Sequence, residues 1–425
     1  MKSSYTPWRT LWKYLGGTLT SRAGDEMAGP ALLLLGFAVT GKPAVGSALL
    51  AGLTIGAAVG GPLFGTLLDR SPRPDRILAV TLASYTVGVI AVAAAVGRLP
   101  VPLVVLIALA AGLFTAAVAG GWTSQLPRIV TGPALDRGFA LDATTYSAAS
   151  LAGPALAALV AAGFGARTAV VIAAALVALA VPSACSLSRY PPPRVSGPRP
   201  APYRQMAAGF AAIVTRRRLL RATVTSAVSY VGLGMLLVCC PLLGAQRLGG
   251  SARGALLISA IAAASLVTNS VLARRPCSSP GSSPARSQPD ARVLVSTVVM
   301  GVSMALASVA AGWLTLAAVA LSGVGEGPQL TALFSVRHRE SPEHLRGQIF
   351  TTAASLKVAG LAAGAALAGP LAGQSVTACL LLAAGFDLCA AAAYVLIGPR
   401  RTGRPQVPLG PRQTGPTAGT TARSE

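Results

Sequence analysis

The chain has 425 residues, of which 53% are hydrophobic and only 11% charged, with a mean hydropathy of +0.64 and a formal net charge of +23. That balance excludes a water-soluble globule, because apolar runs of about 20 residues, each long enough to cross a bilayer, recur along the whole length. It also excludes a nucleic-acid binder, since the basic residues are spread between the apolar runs and are not gathered on one domain, aromatic platform or basic helix.

Lys2, Arg9 and Lys13 precede the first apolar run, and no small-residue cleavage site follows it, so the run reads as an uncleaved first helix. Twelve spans are predicted, over residues 15–40, 44–68, 77–97, 101–124, 139–162, 166–187, 219–246, 252–273, 292–312, 314–336, 349–373 and 376–398. They are rich in Leu, Ala and Val with scattered Gly, which suits helices that satisfy their own backbone in lipid and pack closely. Of the 35 Lys and Arg residues, 28 fall in or beside the loops and tails on one side, five on the other, and two (Arg22 and Lys357) inside spans. The positive-inside rule then places both termini in the cytoplasm. The stretch 188–218 is rich in Pro and Arg and reads as a cytoplasmic linker between two six-helix halves, 15–187 and 219–398. Residues 1–14 form a cytoplasmic N-tail, and the polar, Pro/Gly-rich tail 399–425 is expected to be disordered.

Six scattered cysteines without a C-x-x-C, and two histidines (His338 and His344) in one short loop, argue against a disulfide framework or a metal centre. No phosphate-binding G-x-x-x-x-G-K-[ST] occurs, and no nucleophile sits beside a base, so neither a cofactor nor an enzyme is expected.

The turn between the second and third spans, GPLFGTLLDRSPRPDR, is the most distinctive stretch. Gly65, Asp69, Arg70, Arg73 and Arg76 fall there at the spacing G-x-x-x-D-R-x-x-R-x-x-R, and such an Asp–Arg cluster can pin two helix ends together. It resembles the loop between helices 2 and 3 of the major facilitator superfamily of secondary transporters, although Ser71-Pro72 and Pro74-Asp75 replace the usual glycine and second basic residue. The resemblance covers about residues 10–400. An internal echo agrees with it: Arg137-Gly138 opens the fifth span and Arg346-Gly347 the eleventh, each before a Thr/Ala/Ser-rich helix. At the same spacing, the second copy of the loop keeps only Arg274 and Arg275. The resemblance implies an all-α membrane protein with twelve transmembrane helices in two pseudo-symmetric six-helix bundles, working as a monomer by alternating access on a small-molecule substrate and protons. Richness in Ala, Gly, Arg and Pro is that of a GC-rich bacterial genome, so the expected location is the bacterial plasma membrane.

Only twelve acidic residues exist, so those inside spans are informative. Arg22, Asp25, Glu26 and Gly29 share one face of the first span. An Arg22–Glu26 pair at i,i+4 would leave Asp25 as the freer proton-binding carboxyl, beside Glu26. In the tenth span Glu326 lies among Gly323, Gly325, Gly327 and Pro328, which predicts a broken helix with a carboxyl at the break, Gln329 adding a hydrogen-bonding group. Lys357 either pairs with Glu326 or snorkels to the interface. Asp142 is expected in a cytoplasmic network with Arg128 and Arg137, and Asp387 in a bland outer helix. Trp122 and Gln125 of the fourth span are candidate cavity residues, in place of the buried arginine that many drug–proton antiporters carry there. Gly153-Pro154 in the fifth span partly matches the antiporter pattern GP-x-x-GG. Together these features point to outward, proton-coupled transport of an amphipathic molecule, with import of a nutrient, or a non-transporting sensor, as the alternatives.

Overall fold

In a run of 20 or more apolar residues the backbone has no partner but itself, and helix is the structure that satisfies every N–H and C=O locally. The computed structural model describes residues 8–132, 134–187, 201–250, 253–274 and 288–398, and among them the only regular structure is helical. The helices are α1 (Trp8–Thr40), α2 (Pro43–Arg70), α3 (Pro74–Ala95), α4 (Val101–Gly112), α5 (Trp122–Ile129), α6 (Ala134–Phe164), α7 (Ala166–Ala178), α8 (Val181–Ser186), α9 (Pro202–Thr215), α10 (Arg217–Arg247), α11 (Gly254–Arg274), α12 (Gln288–Val309), α13 (Leu314–Glu340), α14 (Arg346–Gln374) and α15 (Val376–Leu396). A π-helical turn, Ala117–Gly121, joins α4 to α5 in one pass, and α7 continues into α8 in another. Proline in the first turn starts α2, α3, α4, α8 and α9, where its missing N–H costs nothing.

Among the described residues, twelve long helical segments can be traced. Ten are long and apolar enough to cross a membrane by length and composition. The other two are α1 and α13, long helices that carry the immersed charges Arg22, Asp25, Glu26 and Glu326. The N-tail is shorter than expected, because α1 already begins at Trp8 and buries Tyr14. The expected linker contains a helix, α9, with Gln205, Gly209 and Ile213 on its buried face. Residues 188–200 of that linker, and the tail from 399, lie outside the described residues.

Of the buried apolar clusters, the two largest follow the halves. One gathers side chains of α1 to α8, such as Leu32, Leu82, Trp122 and Phe139, and is joined by Leu330, Phe334 and Phe350 of α13 and α14; the other gathers Leu236, Cys239, Met300, Met304 and Leu380 from α10 to α15. The halves meet through α2 against α14 and α6 against α11, pairs related by the pseudo-symmetry, with α13 also touching α6. Glycines make these approaches possible. A Cβ on Gly61 would strike the Thr351 carbonyl, and one on Gly65 the Thr351 side chain, while Gly52, Gly56 and Gly60 press the neighbouring face of α2 onto carbonyls of the fourth pass.

The same reasoning corrects the tenth span. α13 runs unbroken through Pro328. Its glycines bring its backbone onto neighbours: Gly323 and Gly327 face the Ile261 and Ser265 carbonyls of α11, and Gly325 faces the Ser296 carbonyl of α12. Gly323-x-Gly-x-Gly327 is a packing device here and does not free backbone groups.

Candidate functional site

The halves are bonded together at the end of the molecule that carries the basic loops. Asp69, at the last turn of α2, accepts the backbone N–H groups of Gly347 and Gln348, both at 2.8 Å. Those are orphan donors of the first turn of α14, where the helix dipole favours a carboxylate. Arg70 donates to Gln205 of α9 at 3.2 Å, and Gln348 donates to the Met206 carbonyl at 2.7 Å, so α9 straps both halves. Further along, Thr351 donates to the Gly61 carbonyl, Ser355 to the Ala57 carbonyl, and the Gly61 N–H to Ser355. Of the loop motif, Gly65, Asp69 and Arg70 reach this seam, whereas Arg73 and Arg76 are exposed. Asp69→Asn puts an amide N–H against the α14 donors and removes a charge worth about 1–2 kcal/mol at a helix start. The expected result is a roughly tenfold shift of the closed–open ratio at this end. Turnover should change by that order while substrate affinity moves little, as initial-rate and equilibrium-binding assays would register.

Above the seam, Phe139 of α6, Phe334 of α13 and Phe350 of α14 pack ring to ring at 6.0–6.4 Å, with Tyr146 6.3 Å from Phe334. This aromatic plug bridges the halves, and Tyr146 at its edge also lines a cavity of about 310 Å³ between them. Leu233, Leu237, Ile258, Ile261, Leu330 and Leu361 supply most of its apolar wall.

Its polar groups come in two sets. On the α1 side stand Asp25 and Glu26. Asp25 accepts the Tyr85 hydroxyl at 2.7 Å, and Glu26 accepts Ser150 of α6 at 3.1 Å. Gly153 lets α6 come this close, since a Cβ there would meet the Glu26 Cβ and backbone, and Pro154 lines the cavity one residue on. On the other side, Tyr230 of α10 donates to Glu326 at 3.0 Å, and Lys357 of α14 donates to the Tyr230 oxygen at 3.3 Å. Lys357 thus reaches Glu326 through a phenol. Its ammonium also lies 4.5 Å from the Tyr230 ring centre and 5.2 Å from that of Tyr146, on the opposite half. It points inward to the cavity and does not snorkel.

Four expected cavity residues are elsewhere. Arg22 does not pair with Glu26. It is buried against Asp142, with Nη1–Oδ1 at 3.0 Å and a bond to the Asp142 carbonyl at 2.7 Å, and its guanidinium lies 3.6 Å from the Tyr146 ring centre. Tyr14 and Thr123 also donate to Asp142, at 2.8 and 2.7 Å. A buried carboxylate needs this many donors, and Asp142 finds them inside the first half, with Arg22, Tyr14 and Thr123 in place of the expected cytoplasmic partners. Gln329 is turned away from the cavity, onto Thr297 at 2.7 Å and Ser229 at 3.3 Å. Trp122 is fully buried, edge-on to Tyr14, and Gln125 bonds Ser124 and Arg128.

Sequence reasoning passed over the tyrosines. Five of the eight fall in the helical passes, and every one has its hydroxyl on an acceptor: Tyr14 on Asp142, Tyr85 on Asp25, Tyr146 on the Ala119 carbonyl of the π-turn, Tyr230 on Glu326 and Tyr394 on Asp290. The available signal was their position, since a phenol inside an apolar run needs a partner, and carboxylates are scarce.

The sequence profile of the Major Facilitator Superfamily matches residues 14–365. The chain belongs to the major facilitator superfamily. This is a family of transporters, so the major facilitator chain is a membrane-spanning carrier of small molecules and not an enzyme. It is 26% identical, over 397 residues, to an uncharacterized MFS-type transporter, y4rN, of Sinorhizobium fredii (strain NBRC 101917 / NGR234), covering 92% of this chain and 96% of that one. Among solved structures, the human organic anion transporter MFSD10 (TETRAN) superposes with a TM-score of 0.71 at 16% identity, covering 91% and 99% of the two chains. A bacterial homologue of the iron transporter ferroportin, in an outward-facing state, gives 0.72 at 15% identity, covering 91% and 99%. FucP in the outward conformation gives 0.66 at 13%, covering 92% and 98%. At these identities the likeness is one of major facilitator fold.

Proposed function

We propose that this major facilitator carrier exports a small amphipathic molecule across the bacterial plasma membrane in exchange for protons. The observation that carries the reading is the meeting of three carboxyls, Asp25, Glu26 and Glu326, with Lys357 on one cavity between the halves whose remaining wall is mostly aliphatic. Immersed carboxylates are costly and are kept where they bind an ion or a substrate. The leucine and isoleucine walls suit a molecule with a large hydrocarbon surface, while the hydroxyls of Tyr146, Ser147, Ser150, Tyr230 and Ser265 are bonded to protein groups. Gly153-Pro154, seated against Glu26, supports the antiporter reading, as a small-residue hinge beside a titratable group.

Asymmetry in Lys and Arg supports both termini being cytoplasmic, in which case the seam at Asp69 seals the cytoplasmic end and the cavity belongs to the outward-facing side of the cycle. Protons arriving from outside would neutralise the carboxyls, the halves would rock, and the seam would part to release the protons inward. Substrate then competes for the recharged cavity and is carried out. On this scheme the two halves, 15–187 and 219–398, move as bodies about the linker 188–218, and a single copy of the chain suffices.

Reconstituted carrier in proteoliposomes, given a pH gradient and a panel of cationic, neutral and anionic amphipathic dyes, tests this. Dye should move against the proton flow, and collapsing the gradient should stop its uphill movement. Dye accumulating in the direction of proton flow would instead establish an importer. Movement indifferent to the gradient would dismiss proton coupling.

A further inference from the structure

Among the described residues, one buried carboxyl outside the cavity has a buried oxygen without a hydrogen-bond partner. Asp387 of α15 is fully buried among α10, α12 and α15. Its Oδ1 accepts the hydroxyl of Ser229, and its Oδ2 has no hydrogen-bond partner. The hydrogens of the polar groups bonded around it are committed. Thr297 donates to the Val293 carbonyl at 2.7 Å, so its oxygen can only accept from Gln329. Ser229 donates to Asp387, so it too accepts from Gln329. Both hydrogens of the Gln329 amide are therefore spent, and its Oε1, like Oδ2 of Asp387, is a buried acceptor with no donor. An ionised carboxylate would keep charge on an oxygen that nothing solvates, which low-polarity surroundings penalise heavily.

Charged neighbours do not relieve it. Toward the basic end, two turns along α15, Tyr394 and Arg221 both bond Asp290 of α12, which also pairs with Arg339 at 3.0 Å. Toward the other end, Arg247 of α10 is spent on the carbonyls of Ala307, Ser308 and Ala310, and Cys239 and Cys379 lie on α10 and α15. Tyr230 of α10 and Lys357 of α14 turn to the cavity. A metal cation fits poorly: α10 and α12 close on the site through Gly232 and Gly301, where a Cβ would stand 3.1 Å from Asp387 atoms, and the next side chain beyond Gly232 is the soft thioether of Met304. A proton needs no such room.

We propose that Asp387 is a second proton-binding site of the carrier, separate from the cavity, that is loaded in this conformation and unloads during the cycle. The inference rests on the proton-coupled reading. The link to the cavity is covalent neighbourhood on two helices: Ser229 adjoins Tyr230 on α10, and Gln329 follows Glu326 by one turn on α13. A shift of α13 against α10 that parts Glu326 from Tyr230 also parts Gln329 from Ser229. The amide hydrogen that Gln329 gave to Ser229 is then free to donate to the carboxylate alongside the Ser229 hydroxyl already bonded to it, water enters, and the O–H bond at Oδ2 breaks, its electron pair staying on Asp387 and its proton passing to water.

Infrared difference spectroscopy on the reconstituted carrier decides this. At rest the wild type should show the C=O stretch of a protonated carboxylic acid that exchanges slowly in D₂O, and Asp387→Asn should lack that band. Turnover with a transported dye under a pH gradient should speed its deuteration, and the protons moved per dye should fall in Asp387→Asn. Absence of the band at rest, its equal presence in Asp387→Asn, or its survival through turnover without exchange would each overturn the assignment. Flux requiring Na⁺ would replace the proton by a metal ion. Should Asp387→Asn fail to fold, Asp387→Glu, which keeps a carboxyl there, should shift the frequency of the resting band, and an unshifted band would overturn the assignment. Gradient-insensitive dye movement would sink the proton-coupled reading, while the resting band reports on Asp387 regardless.

Discussion

Glu326→Gln is expected to reduce gradient-driven flux to that of liposomes held without a pH gradient. The substitution preserves the size of the side chain and can still accept the Tyr230 hydroxyl, so the fold and the cavity outline should survive. What it removes is the capacity to take up and release a proton at the one carboxyl on the second-half wall of the cavity. Lys357, left with Asp25 and Glu26 as the cavity's carboxylates, would then bias the cavity toward one charge state throughout the cycle. Flux measured with and without the gradient in the same vesicle preparation reads the effect directly. Full gradient-driven flux in Glu326→Gln would transfer the coupling role to the Asp25–Glu26 pair.

The second large effect is structural. Arg22→Met should strand Asp142, which is fully buried and takes hydrogen bonds from Arg22, Tyr14 and Thr123. Removing one partner of a buried ion pair costs roughly 3–5 kcal/mol, because the remaining charge has nowhere to go. A marked fall in the thermal-unfolding midpoint in detergent, and in folded yield, is expected. Replacing both residues, Arg22→Met with Asp142→Leu, should recover part of the loss, since no charge is then left buried, although the Tyr14 hydroxyl loses its acceptor. An unchanged midpoint in the single variant would mean that Arg22 is not a structural partner of Asp142.

Elements governed by local chemistry were legible in the sequence. Apolar runs of bilayer length announced the helices, and Gly65, Asp69 and Arg70 announced the seam before its partner was known. What the sequence did not disclose was which distant residue a polar group would choose. Glu26 is four residues from Arg22 and Asp142 is 120 away, yet Asp142 offers two carboxylate oxygens and a carbonyl on the face toward which Arg22 points. Helical spacing states which residues can meet; it does not weigh them against a neighbouring helix. Gln329 and Trp122 were misplaced for the same reason, because a polar or amphipathic side chain in a span is as readily used inside a half as between halves. The glycines around Glu326 were misread as a break because a small residue has two uses, and the sequence alone does not say whether a neighbouring backbone lies against it.

The aromatic plug has a consequence for energy conservation. Phe139 comes from one half, Phe334 and Phe350 from the other, so the barrier exists only while the halves touch at that end. Any movement that parts the seam also dismantles the insulation, and a wire of water could then run the full depth of the protein. On the proposed cycle the opposite mouth closes first, since otherwise the membrane would lose its electrochemical gradient through an open short circuit. Substituting alanine for these rings should reveal itself as ion leakage with no substrate present.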